Sequence, residues 1–220
     1  MNKVAINAGV TGVKCLIGLL FLALGACSAL PEKTMRAAQY DFGPGTTLTT
    51  TVPGDSLPPL ALADVEAPGL SEGGTALLYR LGYADARQLR PYAQARWSVP
   101  PAQLVGQRLR DVLGQRRAVV GASDSAALVR MVGPAPRVLR AELQEFTQLF
   151  ESPTTSTGLV RLRATLVEST PQGDILLAQR AFTVQRPAPS ADAPGGVQAL
   201  TAATDALVQE LETWLETVGR

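Results

Sequence analysis

Side chains able to do covalent or acid–base chemistry are scarce in this 220-residue chain. It has no histidine, which removes Ser-His-Asp and Cys-His nucleophile systems and every His-ligated metal site. Lys3, Lys14 and Lys33 are the only lysines, so a Ser-Lys hydrolase has no base to draw on in the body of the chain. Glu142 and Glu145 lie close together but lack the buried setting that general acid–base work requires. Arg161 and Arg163 alternate along one strand candidate and Arg180 lies on the next. That spacing would make a small basic face for a phosphate or a protein partner, although arginines on an exposed strand more often solvate and protect a sheet. Neither catalysis nor a bound cofactor or metal is expected.

The two cysteines sit in unlike settings. Lys3 and Lys14 precede an uninterrupted apolar run from Cys15 to Ala26, CLIGLLFLALGA. A bilayer-spanning helix needs about 20 such residues, so the run matches the core of a signal peptide better than a membrane span. It ends in Leu24-Gly25-Ala26-Cys27, which resembles a bacterial lipobox. The resemblance implies diacylation of Cys27, cleavage before it and acylation of the new amino group. A plain signal peptide or anchor that happens to contain Cys27 is the alternative. Loss of residues 1–26 would leave Cys27 as the sole cysteine, so no disulfide could form within the chain. One acyl chain anchors only marginally, at about 0.8 kcal/mol per buried CH2, whereas three hold firmly. Ser28 follows the cysteine where Asp does not; by resemblance to lipoprotein sorting, this favours the periplasmic face of the outer membrane in a Gram-negative bacterium.

With 20 basic and 19 acidic side chains the chain is nearly neutral. That argues against nucleic acid or an anionic membrane surface as a partner held by bulk electrostatics. Membrane attachment is expected through the N-terminal lipid instead. The length allows one ordinary domain with a real core.

The elements that would position these residues begin after a tether. Residues 27–59, with GPGTTLTTTVPGDSLPP, read as a spacer, and Tyr40 and Phe42 are the two residues in it suited to docking on a domain edge. From residue 60 to 220 a single α/β domain is expected. Ala61–Pro68 and Ala76–Leu81 have strand character, and Gln88–Tyr92 and Ala95–Trp97 suggest a further strand or hairpin. Pro100-Pro101 opens a helix with Leu104, Val105, Leu109, Val112 and Leu113 on one face and Gly114 as its cap. Trp97 should pack beneath that helix start. Arg117–Gly121 reads as a short buried strand. Leu139, Ala141 and Leu143 alternate with polar residues until Phe146 and Phe150 break the phase, which predicts a bulge or a strand buried on both faces. Leu162, Ala164 and Leu166 form the next strand. Ala178, Phe182 and Val184 form its return, with the turn Pro171-Gln172-Gly173-Asp174 making an antiparallel hairpin. A Pro/Ala/Gly loop from Pro187 to Gly196 leads to a closing helix with Val197, Leu200, Leu207, Leu211, Trp214, Leu215 and Val218 in one stripe. The expected fold is α/β, one mixed and largely antiparallel sheet covered by two helices, behind a lipidated tether.

The order of these motifs resembles the bacterial ABC-type transport auxiliary lipoprotein family, which includes paraquat-inducible protein C. The landmarks are the lipobox, then Tyr40-Asp41-Phe42-Gly43-Pro44, Tyr79-Arg80, Tyr92, and Arg96-Trp97-Ser98-Val99-Pro100-Pro101 leading to Leu104 and Leu109. Further on come Leu143-Gln144-Glu145-Phe146 with Phe150, Arg161-Leu162-Arg163, Ala178-Gln179-Arg180-Ala181-Phe182, Ala199-Leu200 and Trp214-Leu215. Ser123–Pro136 matches none of them. The resemblance implies a non-catalytic component of a lipid transport system, working with an inner-membrane permease, an ATPase and a mammalian-cell-entry (MCE) domain protein to move lipid between the two membranes. The absence of a GxxxxGK[ST] loop leaves ATP hydrolysis to a partner. A structural or assembly lipoprotein, acting as pilot or chaperone for an outer-membrane complex, stays open as the alternative. A hydrolase is poorly supported, and self-association is left open.

Overall fold

The apolar alternation of the C-terminal half builds the scaffold. A computed structural model describes residues 36–44, 57–70, 74–122 and 136–218. The central strand is β6 (Arg137–Phe150), flanked along its whole length by β7 (Ser156–Thr170), which in turn pairs with β8 (Gly173–Pro187). Both ladders are antiparallel. The opposite edge of β6 is shared. β2 (Leu60–Leu62) pairs parallel with its start at Arg137–Leu139, and β3 (Ala76–Leu81) pairs parallel with its end at Gln148–Phe150. Beyond β3 lie β4 (Ala86–Trp97), antiparallel, and β1 (Ala38–Tyr40), parallel to β4; beyond β2 lies β5 (Val119–Gly121), also parallel. These eight strands form one mixed sheet. Parallel pairings join the short strands, and the two longest ladders are antiparallel, as the alternation predicted.

Among the described residues three helices accompany the sheet: the single turn α1 (Gly82–Asp85), α2 (Pro101–Leu113) and α3 (Ala193–Val218). α3 lies across β6, β7 and β8 and also packs on α2. Its stripe of Leu200, Ala203, Leu207, Leu211, Trp214 and Leu215 is buried against Leu139, Ala141, Leu143, Phe146, Val160, Leu162, Ala164, Leu166, Phe182 and Val184 from the sheet. Trp214 is therefore a core residue, edge-on to Phe182 with ring centroids 5.8 Å apart. Asp192 starts the helix: its Oδ1 accepts the Gly195 N–H at 2.9 Å and the Ser190 hydroxyl. Those bonds, the hydroxyl first, hold its carboxyl below the usual range.

Close approach of α3 to β7 depends on one glycine. A Cβ at Gly158 would meet the carbonyl carbon of Ala199 at 2.5 Å and the amide nitrogen of Leu200 at 2.6 Å. Only a residue without a side chain fits there.

Several boundaries differ from expectation, each for a local reason. Ala38–Tyr40, expected within the tether, is a sheet strand, because Phe42 two residues on is drawn into the aromatic core. Of the strand or hairpin suggested by Gln88–Tyr92 and Ala95–Trp97, the structure has the single strand, which pairs with β3 across an irregularity near Leu78. The strand expected over Ala61–Pro68 keeps regular pairing only to Leu62, although the Glu66 N–H still reaches Ala141 O at 3.0 Å. β5 begins at Val119 and is half-buried, since it is the sheet's outer strand on that side. The closing loop is shorter than expected, because β8 runs to Pro187 and the Asp192 cap starts α3 at Ala193. The bulge foreseen near Phe146 falls between Leu143 and Glu145.

Candidate functional site

Parity along β7 and β8 decides the fate of the three arginines. Arg161 and Arg163 point away from α3, on the face opposite Leu162 and Ala164, and both are exposed. Arg180 pairs with Ala164 and so lies on the other face, its guanidinium 4.9 Å from the centre of the Phe182 ring. The expected basic face of Arg161, Arg163 and Arg180 is thus not assembled. The sequence held the signal: Arg180 shares the two-residue phase of Ala178 and Phe182. Acids also interleave with the two remaining arginines. Glu142 lies across from Arg163 and pairs with it at 3.5 Å. Glu145 lies across from Arg161 but engages Arg80 at 3.0 Å and the Thr147 hydroxyl at 2.7 Å. Arg140 pairs with Asp174 on the same face. The outer face is a lattice of alternating charge, suited to solvation.

The widely spaced aromatic landmarks converge into two clusters. In the first, Phe42 meets Trp97 edge-on at 5.7 Å, and Trp97 meets Phe146 at 5.5 Å. The backbone reaches this point by a turn in which Asp41 Oδ1 accepts the Gly43 N–H, with Gly43 at φ +73°. Arg108 of α2 closes the cluster: it donates to Phe42 O at 3.1 Å, lies 5.7 Å over the Phe42 ring and pairs with Asp205 of α3 at 3.1 Å. Burial outweighs that cation and leaves the Asp205 carboxyl above its ordinary pKa. In the second cluster Tyr79 meets the Tyr92 ring at a tilt, 4.7 Å between centroids, and Phe150 edge-on at 5.8 Å. The Tyr92 hydroxyl donates to Gln148 Oε1, and Gln148 Nε2 donates to Ser156 Oγ, each at 2.8 Å. Burial, with Tyr79 and Asp192 nearby, pushes the Tyr92 phenol up to about 12.

A cavity of about 500 Å³ lies between the segment 64–70, the start of β3 and the first turns of α2. Pro100-Pro101 sets the entry of α2 over it, Pro being tolerated where the helix leaves N–H groups unpaired anyway. Phe146 forms part of its wall, and Arg110 and Asp64, 3.3 Å apart, stand among its lining. Sequence reading missed it. The available signal was the spacing of Ala102, Gly106 and Arg110 along one side of the helix, two small residues and then a cation. Among the described residues no group of three or more His, Cys, Asp or Glu could hold a metal ion. Cys27 and Ser28 lie outside the described residues.

The same open α/β architecture occurs in known structures. A crystal structure of a Xanthomonas campestris protein assigned to family DUF330 superposes with a TM-score of 0.58 at 19% identity, covering 86% of this chain and 91% of that one. A second crystal structure, of an uncharacterized protein, gives 0.55 at 12% identity, covering 82% and 99%. At these identities the likeness is one of fold. No curated protein matches the chain. Residues 40–212 match the family model for the ABC-type transport auxiliary lipoprotein component. The chain belongs to that family, and its matched region begins at Tyr40, in the strand that opens the sheet.

Proposed function

We infer that this protein is a lipid-anchored, non-catalytic auxiliary component of an MCE-type ABC transport system that moves lipid between the inner and outer membranes. The observation that carries this reading is the family match over residues 40–212. Cys27 supplies the anchor in this reading, and Ser28 directs the protein to the outer membrane.

Two measurements test it. The full-length chain, affinity-captured from membranes of its own host, should bring down the MCE-domain protein encoded beside it with its permease and ATPase; neighbouring genes that encode none of these would overturn the assignment. Replacing Cys27 by Ser should abolish incorporation of labelled palmitate, and placing Asp at position 28 should shift the protein to inner-membrane fractions. Continued labelling of the Cys27→Ser variant would remove the anchor.

A further inference from the structure

The cavity beside α2 has the shape and chemistry of a ligand site. Val65, Leu70 and Leu78 join Phe146 in an apolar lining. Ala102 and Gly106, one turn apart on α2, withhold the side chains that would fill the space; even a Cβ on Gly106 would already touch Val65 Cγ2 at 3.4 Å. The volume of about 500 Å³ falls within the range of about 300–1,000 Å³ typical of small-molecule sites. One further turn along the helix stands Arg110, with Asp64 opposite it, and these are the only charged residues of the lining among the described residues. Their side chains are 44% and 99% exposed, so their mutual attraction is weak and either can be given up to a ligand. A purely anionic head would find Arg110 but be repelled by Asp64, and an uncharged head would satisfy neither. A head bearing one negative and one positive group, joined to a hydrocarbon tail, satisfies both.

We propose that this cavity takes one acyl chain of a zwitterionic phospholipid, with the phosphate on Arg110 and the ammonium on Asp64. This rests on the lipid-transport reading above for the source of the ligand and narrows it to a headgroup class. The test uses the full-length protein in detergent with lysophosphatidylethanolamine carrying a photoreactive acyl chain, and lysophosphatidylglycerol with the same chain as its anionic counterpart. The ethanolamine probe should crosslink to peptides that line the cavity and outcompete the glycerol probe. Ala102→Leu should lower labelling about tenfold, with a melting temperature near that of the wild type. Asp64→Arg, at an exposed position that leaves folding intact, should reverse the preference in favour of the glycerol probe. No crosslink to lining peptides, or equal labelling by both probes that Asp64→Arg leaves unchanged, overturns the proposal. Capture of the MCE-domain partner is scored on the same preparations. If labelling fails while capture succeeds, the cavity assignment falls and the transport reading stands; labelling without capture does the reverse.

Discussion

Adding one methyl group at Gly158 tests whether the seat of α3 on the sheet is as tight as its geometry states. The Cβ of Ala would lie 2.5 Å from the Ala199 carbonyl carbon, where carbon atoms ordinarily rest about 3.5–4.0 Å apart. The atoms it meets are all main chain of α3 and Gly158 itself sits in the middle strand β7, so no rotamer change relieves the overlap of about 1 Å. α3 must retreat, and a gap of about 0.5–1 Å already forfeits a quarter to a half of each contact's attraction. The loss falls on the buried side chains nearest the pivot, Leu200 and Ala203 above all. Overpacking of this kind costs about 1–3 kcal/mol, and the rigid partners put this case near the top. For a domain of this size about 3 kcal/mol lowers Tm by roughly 6–12 °C. The assay is thermal and urea unfolding of the full-length protein in detergent, with Gly69→Ala as control, since a Cβ there meets nothing nearer than Gln144 O at 3.8 Å. A Gly158→Ala protein melting within about 2 °C of wild type, with the control unchanged, would refute the claim that this contact sets the helix position.

Trp214→Ala, which empties a buried site against Phe182, should cost about 3–5 kcal/mol, whereas exposed Arg161→Ala should stay within about 0.5 kcal/mol of wild type in the same melts. Asp192→Ala removes the cap of α3 and should cost about 1 kcal/mol at neutral pH. Because the folded-state pKa of Asp192 is depressed, its contribution is present above the ordinary carboxylate pKa and is lost as pH falls through the folded value. The two proteins should therefore converge in urea midpoint in acid, and a gap that is unchanged or widens on acidification would contradict the capping role.

The period of two in β6, β7 and β8 and the stripe of α3 were legible because burial on one face writes itself directly into residue order. So was the disturbance at Phe146, which a bulge explains. What residue order does not carry is which short strand meets which. β1 and β2 are three residues each, too short to show a period, and their pairing is decided by parallel contacts with β4, β5 and β6 far along the chain. The arginine face failed for a different reason: Arg180 obeys the inward phase of its strand, and counting charge without parity put it beside Arg161 and Arg163. The cavity was invisible because it is made by missing side chains at Ala102 and Gly106, and an absence on a helix becomes a hole only when the segment 64–70 passes opposite it. The landmarks behaved better, since Phe42, Trp97 and Phe146, far apart in sequence, meet in one cluster.

The short strand β1 sets the length of a leash. If Cys27 carries the lipid, the distance from membrane to domain is governed by the eleven peptide units between Cys27 and Ala38, because Arg108 and the Phe42 cluster pin the chain immediately beyond. Fully drawn out, that stretch spans at most about 40 Å, roughly one diameter of a domain of this size. On that anchor the near edge of the domain stays within about one domain diameter of the membrane surface, however the leash is drawn.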